Sequence, residues 1–231
     1  MKVSQVPVNL SRRTALLTIG AVALGGCASQ PVSPAEPEKL VEDARTTLSN
    51  FIRDPDQTWI QDNLNRARAV LIAPQIVRAG FIIGGSGGRG LLVARDGRTW
   101  SGPAFYNLAT ASVGFQAGVD VSEAIIVVMT EKGLNSLLSS SFKMGADASI
   151  AAGPVGASAG STVTADLITF TRARGVFGGL NLNGTVVSTN VPWNDAFYGR
   201  SNVLPPDVLI RQTVVSPKAQ ALLADVARAA K

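Results

Sequence analysis

The sequence predicts a single α+β domain in which a curved antiparallel β-sheet, or a barrel-like β core, is flanked by N- and C-terminal helices. Glycine is abundant, at 23 of 231 residues, whereas aromatic residues make up only 6%; this composition favours many turns and a closely packed β core. Short apolar segments separated by turn dipeptides extend from residue 76 to residue 188, which is typical of β-strands. Apart from one short segment, helical periodicity occurs only before and after this region.

Two helices are predicted before the β region. In the first, residues 38–52, apolar side chains recur at helical spacing from Leu40 to Ile52. The second is predicted to begin at Thr58, where the spacing of a capping box occurs, and to stop before Pro74. Both helices are therefore expected to be amphipathic.

Eight strands, a short helix and a C-terminal helix are predicted further along the chain. Asp96-Gly97 and Asn183-Gly184 suit tight hairpins. The short helix is predicted over 131–141, and the last helix begins at Ser216-Pro217, a capping residue followed by a first-turn proline. The predicted strands are 77–84, 90–95, 111–119, 124–129, 146–152, 161–172, 175–182 and 185–189.

The first 26 residues are typical of an export signal. A basic pair, Arg12-Arg13, precedes the apolar run Ala15 to Leu24, which is too short to span a bilayer as a stable helix. Ser11-Arg12-Arg13 and the leucines after it resemble a twin-arginine signal, although Ala15 replaces the usual bulkier apolar residue. We therefore predict a signal peptide over residues 1–26.

Cys27 is the only cysteine of the chain and is predicted to carry a lipid. Leu24-Gly25-Gly26-Cys27 resembles a bacterial lipobox, in which the cysteine becomes the palmitate-bearing first residue after cleavage. Ala28, where an Asp would favour the inner membrane, implies the periplasmic face of the outer membrane. Residues 27–37 are then a lipidated tether and 38–231 the single domain; in the alternative interpretation, Cys27 is a buried small residue.

The segment Gly85-Ser86-Gly87-Gly88-Arg89-Gly90 satisfies the dinucleotide-binding pattern G-x-G-x-x-G. That pattern requires a helix after the glycines and an acid about twenty residues further on. The residues that follow are β-rich, and the next carboxylate after Asp96 is Asp120. The glycines are instead predicted to form a hairpin or bulge that allows positive φ and a close backbone approach, and no cofactor is predicted.

Composition argues against an enzyme and against nucleic-acid binding. The chain contains no histidine, which removes the commonest general base and most zinc sites. Residues 1–26 hold three basic residues and no acid, so 18 basic residues face 16 acidic ones in the remainder, too small an excess to attract nucleic acid. A hydrolase that pairs distant carboxylates, for example Asp120 and Asp166, remains the weakest alternative.

The distribution of arginine residues is the remaining indication of a binding surface. A cluster lies around the glycine-rich segment, and two further arginines two residues apart share one face of a later strand. Such a cluster is either a set of solvated surface charges or a basic surface that contacts anionic lipid head groups, each worth ~1 kcal/mol. The predicted lipid-binding residues are Arg78, Arg89, Arg95, Arg98, Arg172 and Arg174.

Several motifs, in order, resemble the SYLF domain family and its bacterial branch. They are "VLIAPQIVRAGFIIGGSGGRGLLVAR" (70–95), "GRTWSGPAFYNLATASVGFQAGVDVSEAIIVVM" (97–129), "KMGADASIAAGPVG" (143–156), "TRARGVFGGLNLNG" (171–184) and "DAFYG" (195–199). The resemblance implies a non-catalytic domain that binds phospholipid, and phosphoinositides in its eukaryotic members. It also places Arg78 where members carry Lys or Arg, and Arg95 in a characteristic strand segment.

The chain departs from eukaryotic members in two ways. Their domain opens with an amphipathic helix that contributes to membrane binding, whereas here a tether and an acid-bearing helix occupy that place. The actin-binding activity of some relatives is not expected in a bacterial envelope. The sequence therefore predicts an envelope lipoprotein that binds anionic phospholipid at a membrane surface; the alternative is a structural or protein-interaction lipoprotein that docks on an envelope protein partner.

Overall fold

The computed structural model of the chain describes residues 31–80, 83–97, 99–113, 118–154, 164–173, 176–177 and 180–231. Val32–Lys231 form one compact unit. The predicted signal peptide, Cys27, Arg98 and Arg174 lie outside the described residues.

One sheet of nine strands dominates the described part of the chain, in the order β5-β9-β3-β2-β1-β4-β7-β6 with β8 paired to β7. The strands are β1 (Ala69–Gly80), β2 (Ile83–Asp96), β3 (Thr99–Val113), β4 (Gly118–Val128), β5 (Ser141–Lys143), β6 (Ile150–Ala152), β7 (Leu167–Ala173), β8 (Val176–Phe177) and β9 (Val186–Thr189). The α-helices are α1 (Ala35–Arg53), α2 (Thr58–Asn63), α3 (Glu131–Leu138), α4 (Val191–Tyr198), α5 (Pro205–Leu209) and α6 (Gln220–Ala229).

The sheet is curled, and its two edge strands follow one another in the sequence. All strand pairs are antiparallel except β6 with β7. Between β5 and β6 the chain makes a short turn in which Gly145 N donates to Ala148 O at 2.8 Å. The predicted curved antiparallel sheet with flanking helices is thereby confirmed.

Both faces of the central strands are buried, which gives the domain two apolar cores. On the inner face, Leu71, Leu92 and Tyr106 pack with residues of the β5–β6 turn such as Met144. On the outer face, which carries alternate residues of the same strands, the sheet packs against α1, α4 and α6 and against Trp59 of α2, whose ring centre lies 5.5 Å from that of Phe170. This outer core is formed by residues such as Ile72, Leu91, Phe105, Ile125, Phe51 and Leu222.

Helix α1 follows its predicted pattern but begins at Ala35 rather than residue 38. Val41, Ala44, Leu48 and Phe51 are buried at the three- and four-residue spacing that places them on one face. Two acids in the first turn and Arg53 in the last turn complement the helix dipole.

The second predicted helix is too long. Helix α2 ends at Asn63, a 3-10 turn follows, and strand β1 starts at Ala69. Val70, Leu71 and Ile72 are fully buried between the two cores, and a strand buried on both faces has a continuous apolar run that periodicity alone cannot distinguish from a helix.

The glycine-rich segment lies inside strand β2, so the hairpin and the positive φ predicted for it are wrong. Strands β1 and β2 pair along their length, with a register shift between Ile72 and Gln75. A Cβ atom at Gly88 would lie 2.4 Å from the carbonyl oxygen of Gln75, which confirms the predicted close backbone approach. The described glycines with positive φ all lie elsewhere in the chain.

Candidate functional site

A row of polar side chains crosses the outer face of the sheet where the helices end. Gln75 pairs with Arg89, and Arg89 pairs with Asn107 on β3. Two strands further along, Glu123 pairs with Arg172. Cross-strand partners share one face of a sheet, and Gln75, Glu123 and Arg172 line one cavity. These five residues therefore form a row across the outer face, which we call the polar belt.

Arg89 is the exposed cation of the polar belt. Its guanidinium lies 4.7 Å from the centre of the Trp193 ring, within the range of a cation–π interaction. No carboxylate among the described residues forms an ion pair with it. Because the charge is oriented by an aromatic ring and not neutralised by an acid, Arg89 is available to an anionic ligand.

The position of Trp193 is fixed by Asn190, the N-cap residue of α4, and by Asn194 within that helix. Asn190 caps this helix by accepting from the backbone N–H of Trp193 at 3.3 Å, and its amide donates to Asn107 Oδ1 at 2.9 Å. Asn194 Oδ1 accepts from the backbone N–H of Phe105 at 2.9 Å. Both contacts join α4 to β3, so Trp193 is held against the polar belt.

Arg89 and Trp193 line a groove of about 740 Å³ between α1 and the sheet. Leu40, Val77 and the two glycines before Arg89 provide apolar and backbone surface. Lys39 also lines the groove, but its ammonium pairs with Asp43 at 2.6 Å. Asp43 itself lines the groove, and Glu36 adds a second acid. The groove therefore combines an arginine that forms no ion pair within the described residues with both apolar and polar lining.

Arg172, at the other end of the polar belt, is held by its neighbours. It donates to Glu123 Oε2 from Nη2 at 2.5 Å and from Nε at 3.1 Å, and its guanidinium lies 5.4 Å from the Phe51 ring. The side chain is 18% exposed. Arg172 therefore shares a face with Arg89 but is already engaged.

The remaining described arginines of the predicted site lie apart from Arg89. Arg78 is on the inner face and pairs with Asp120 at 3.4 Å. Arg95 is on the outer face, where it donates to the carbonyl oxygens of Asn65 and Gly97. It lies six residues from Arg89 on the same strand, a separation of about 20 Å. Among the described arginines of the predicted site, only Arg172 therefore lies in the polar belt with Arg89.

Beyond the polar belt, the outer face of β1–β4 carries only small apolar residues in its described part. Cross-strand pairs connect all of them, and we call this surface the apolar tip. Its residues are Val77, Ala79, Gly85, Gly87, Ala109, Ala111, Val119 and Val121.

The two carboxylates considered for hydrolysis are both engaged in structural contacts. Asp120 accepts from Arg78 and from Ser122 Oγ at 3.2 Å. Asp166 accepts from Thr130 Oγ1 at 2.6 Å and from the backbone and hydroxyl of Ser149, and these hydrogen bonds lower the pKa of Asp166 to about 2. A carboxylate with a lowered pKa is a poor general acid.

The described residues contain neither a metal-binding cluster nor a membrane-spanning helix. Among them, no group of three or more carboxylate, cysteine or histidine side chains is arranged to hold a metal ion. No helix within the described ranges has both the length and the apolarity needed to cross a membrane.

Sequence reasoning identified Arg89 but missed Trp193, Gln75 and Asn107. Trp193 lies more than 100 residues away in a helix that periodicity did not indicate. The signal for Gln75 and Asn107 lies in strand register, because each pairs with Arg89 only once β1, β2 and β3 are aligned.

Comparison with known proteins adds the family context. The sequence profile of a family described as "Ysc84: Las17-binding protein actin regulator" matches residues 109–230. Protein YSC84 of Saccharomyces cerevisiae is 29% identical over 195 residues, which cover 78% of this chain and 41% of the yeast protein. SH3 domain-containing YSC84-like protein 1 of Xenopus laevis is 27% identical over 170 residues, covering 71% and 50% of the two chains. The human protein of that name is 28% identical over 151 residues, covering 62% and 44%, so the chain spans half or less of the length of these curated relatives.

Proposed function

The chain belongs to the Ysc84, or SYLF-domain, family, and on that premise we propose that it is a non-catalytic envelope lipoprotein that binds anionic phospholipid in the Arg89 groove. The observation that carries the proposal is the exposed Arg89, oriented by Trp193 in a groove that also presents the apolar side chains of Leu40 and Val77. An anionic head group would accept from the guanidinium, while the first methylene groups of an acyl chain would lie against Leu40 and Val77.

In this proposal the predicted arginines do not contribute equally to lipid binding. One cation, Arg89, would provide most of the specificity for an anionic head group. Arg172 would contribute less, since Glu123 already satisfies its charge. Arg78 and Arg95 would contribute least, because Arg78 lies on the inner face and Arg95 is bound to backbone carbonyls. Arg98 and Arg174 remain part of the prediction.

We expect residues 28–231 to cosediment with vesicles of phosphatidylglycerol and phosphatidylcholine more strongly than with phosphatidylcholine alone. Added salt should weaken this binding, because it screens exposed charges. Arg89→Ala should weaken binding about fivefold, which corresponds to ~1 kcal/mol for one cation at an anionic surface.

Arg66→Ala is the matched control. Arg66 is also an exposed arginine. It lies just before the first residue of β1, whereas Gln75 and the apolar tip lie toward the other end of that strand. It should retain wild-type binding. Equal, weak binding of the unsubstituted protein to both kinds of vesicle would refute the proposal. Equal losses of binding for the two arginine variants would show that overall positive charge, and not the groove, attracts the protein to the vesicles.

The proposed anchor at Cys27 has its own test. In a bacterial host, Cys27→Ser should abolish incorporation of radioactive palmitate, because the thiol is the acceptor of the lipid. The full chain carrying Arg89→Ala should be labelled like the unsubstituted protein. Undiminished labelling of Cys27→Ser would eliminate the anchor while leaving the groove proposal intact.

A protein partner in the cell envelope is the second candidate. It is favoured by the names of relatives, which include LAS seventeen-binding protein 3 of Saccharomyces cerevisiae and so describe that protein as a binder of another protein. In-cell crosslinking that recovers one stoichiometric protein, combined with no vesicle binding, would favour this candidate.

A further inference from the structure

The apolar tip exposes apolar side chains where the exposed end of a sheet ordinarily carries polar ones. A solvated sheet end places polar residues outward, whereas here the outward residues are valine, alanine and glycine. Val119 is 63% exposed, and Val77 and Val121 are 38% and 39% exposed. The described part of this surface therefore offers no side-chain hydrogen bond to water.

Polar residues occupy the inner face of the same strands instead. Arg78 pairs across the strands with Ser86 and Asp120, and Ser86 pairs with Thr110. Thr110 Oγ1 lies 2.7 Å from Thr185 Oγ1. At this end of the sheet the polar side chains therefore face inward and the apolar side chains face outward, which is the opposite of the usual arrangement.

We infer that the apolar tip docks into the hydrocarbon region of a membrane leaflet while the polar belt lies at the level of the head groups. This inference rests on the proposed phospholipid binding and names the part of the lipid that the second surface contacts. The belt separates the tip from the helix-covered core, so its exposed cation, Arg89, would meet anionic head groups when the tip is inserted.

The size of the surface favours lipid over a second copy of the chain. Four strands about 4.8 Å apart, with about four residues each, present roughly 250 Å². A stable protein interface needs about 800 Å² on each partner. The tip also lacks the tryptophan, tyrosine and arginine anchors that dominate protein interfaces, whereas hydrocarbon requires only apolar area.

A fluorophore at the tip tests the inference. The 28–231 fragment contains the whole compact unit and has no cysteine, since Cys27 is the only one in the chain. Val119→Cys can therefore be labelled uniquely with a nitrobenzoxadiazole probe. On addition of phosphatidylglycerol vesicles we expect a severalfold rise in emission with a blue shift, and quenching by lipids that carry a nitroxide on the acyl chain.

Val215→Cys is the matched control, because Val215 is 78% exposed on a segment between α5 and α6 and should report no change. Val119→Asp should weaken vesicle binding at least tenfold, and Val215→Asp should leave it unchanged. An aqueous signal at residue 119 from protein that is bound to vesicles would overturn the inference but preserve head-group binding at Arg89. No vesicle binding would overturn both, and a change at 119 that depends on protein concentration without lipid would indicate a second copy.

Discussion

Gly88→Ala is expected to lower the free energy of unfolding by about 3 kcal/mol, at the upper end of ordinary overpacking. The added Cβ would lie 2.4 Å from the carbonyl oxygen of Gln75 and 3.2 Å from the Cα of Ile76. Both atoms belong to the backbone of β1, so no side chain can move aside. For a domain of this size the change corresponds to a fall in Tm of about 6–12 °C.

Gly87→Ala provides the matched control for Gly88→Ala. It adds the same methyl group one residue away, where the nearest atom, the carbonyl oxygen of Leu108, would lie 3.9 Å from the added Cβ. Thermal unfolding should therefore be unchanged within about 0.5 kcal/mol. Equal Tm values for the two variants would mean that the backbone of β1 does not approach Gly88 this closely.

Asp166→Asn is expected to destabilise the domain by about 2–3 kcal/mol. The carboxylate, one residue before β7, joins the end of β4 to the start of β6, because Thr130 and Ser149 both donate to it. Thr130 Oγ1 also caps α3 by accepting from the backbone N–H of Gly133 at 3.0 Å. An asparagine has one acceptor oxygen and would leave at least one of these donors unpaired, which costs about 1–3 kcal/mol.

The same carboxylate predicts a dependence of stability on pH. Its pKa is lowered from 3.8 to about 2, mainly by the hydrogen bond from Thr130 and then by those from Ser149. Its contribution is therefore complete above pH 3.8 and is lost as the pH falls toward 2, a difference of about 2 kcal/mol. Urea unfolding between pH 5 and pH 2 should show this loss in the unsubstituted protein and a smaller loss in Asp166→Asn; parallel curves would contradict the assignment.

The fold class followed from the sequence because each of its signals is local. The periodicity of Val41, Ala44 and Leu48 predicts α1, and Asp96-Gly97 predicts the turn between β2 and β3, where Gly97 has a φ of +59°. The boundary of α2 was missed because Val70 and its neighbours are buried on both faces of the sheet, which removes the alternation that distinguishes a strand.

The candidate site was less predictable because it depends on pairing between distant segments. Four of the six arginines were selected because they lie close together in the sequence, and two because they share one face of a later strand. The strand register nevertheless places Arg78 and Arg89, eleven residues apart, on opposite faces. The register shift between Ile72 and Gln75 reverses the expected parity along β1, and no local pattern indicates such a shift. The apolar tip is equally hidden, since its eight residues come from four strands.

The central claim is that an anionic phospholipid binds in the groove formed by Arg89 and Trp193. Its most direct test is nuclear magnetic resonance of the 28–231 fragment during titration with a short-chain phosphatidylglycerol below its micelle concentration. The claim predicts that the indole N–H signal of Trp193 and the amide signals of Gly87 and Gly88 shift, while the indole signals of Trp59 and Trp100, buried elsewhere in the outer core, stay in place. Unchanged Trp193, Gly87 and Gly88 signals at saturating lipid, or shifts confined to another surface, would contradict it.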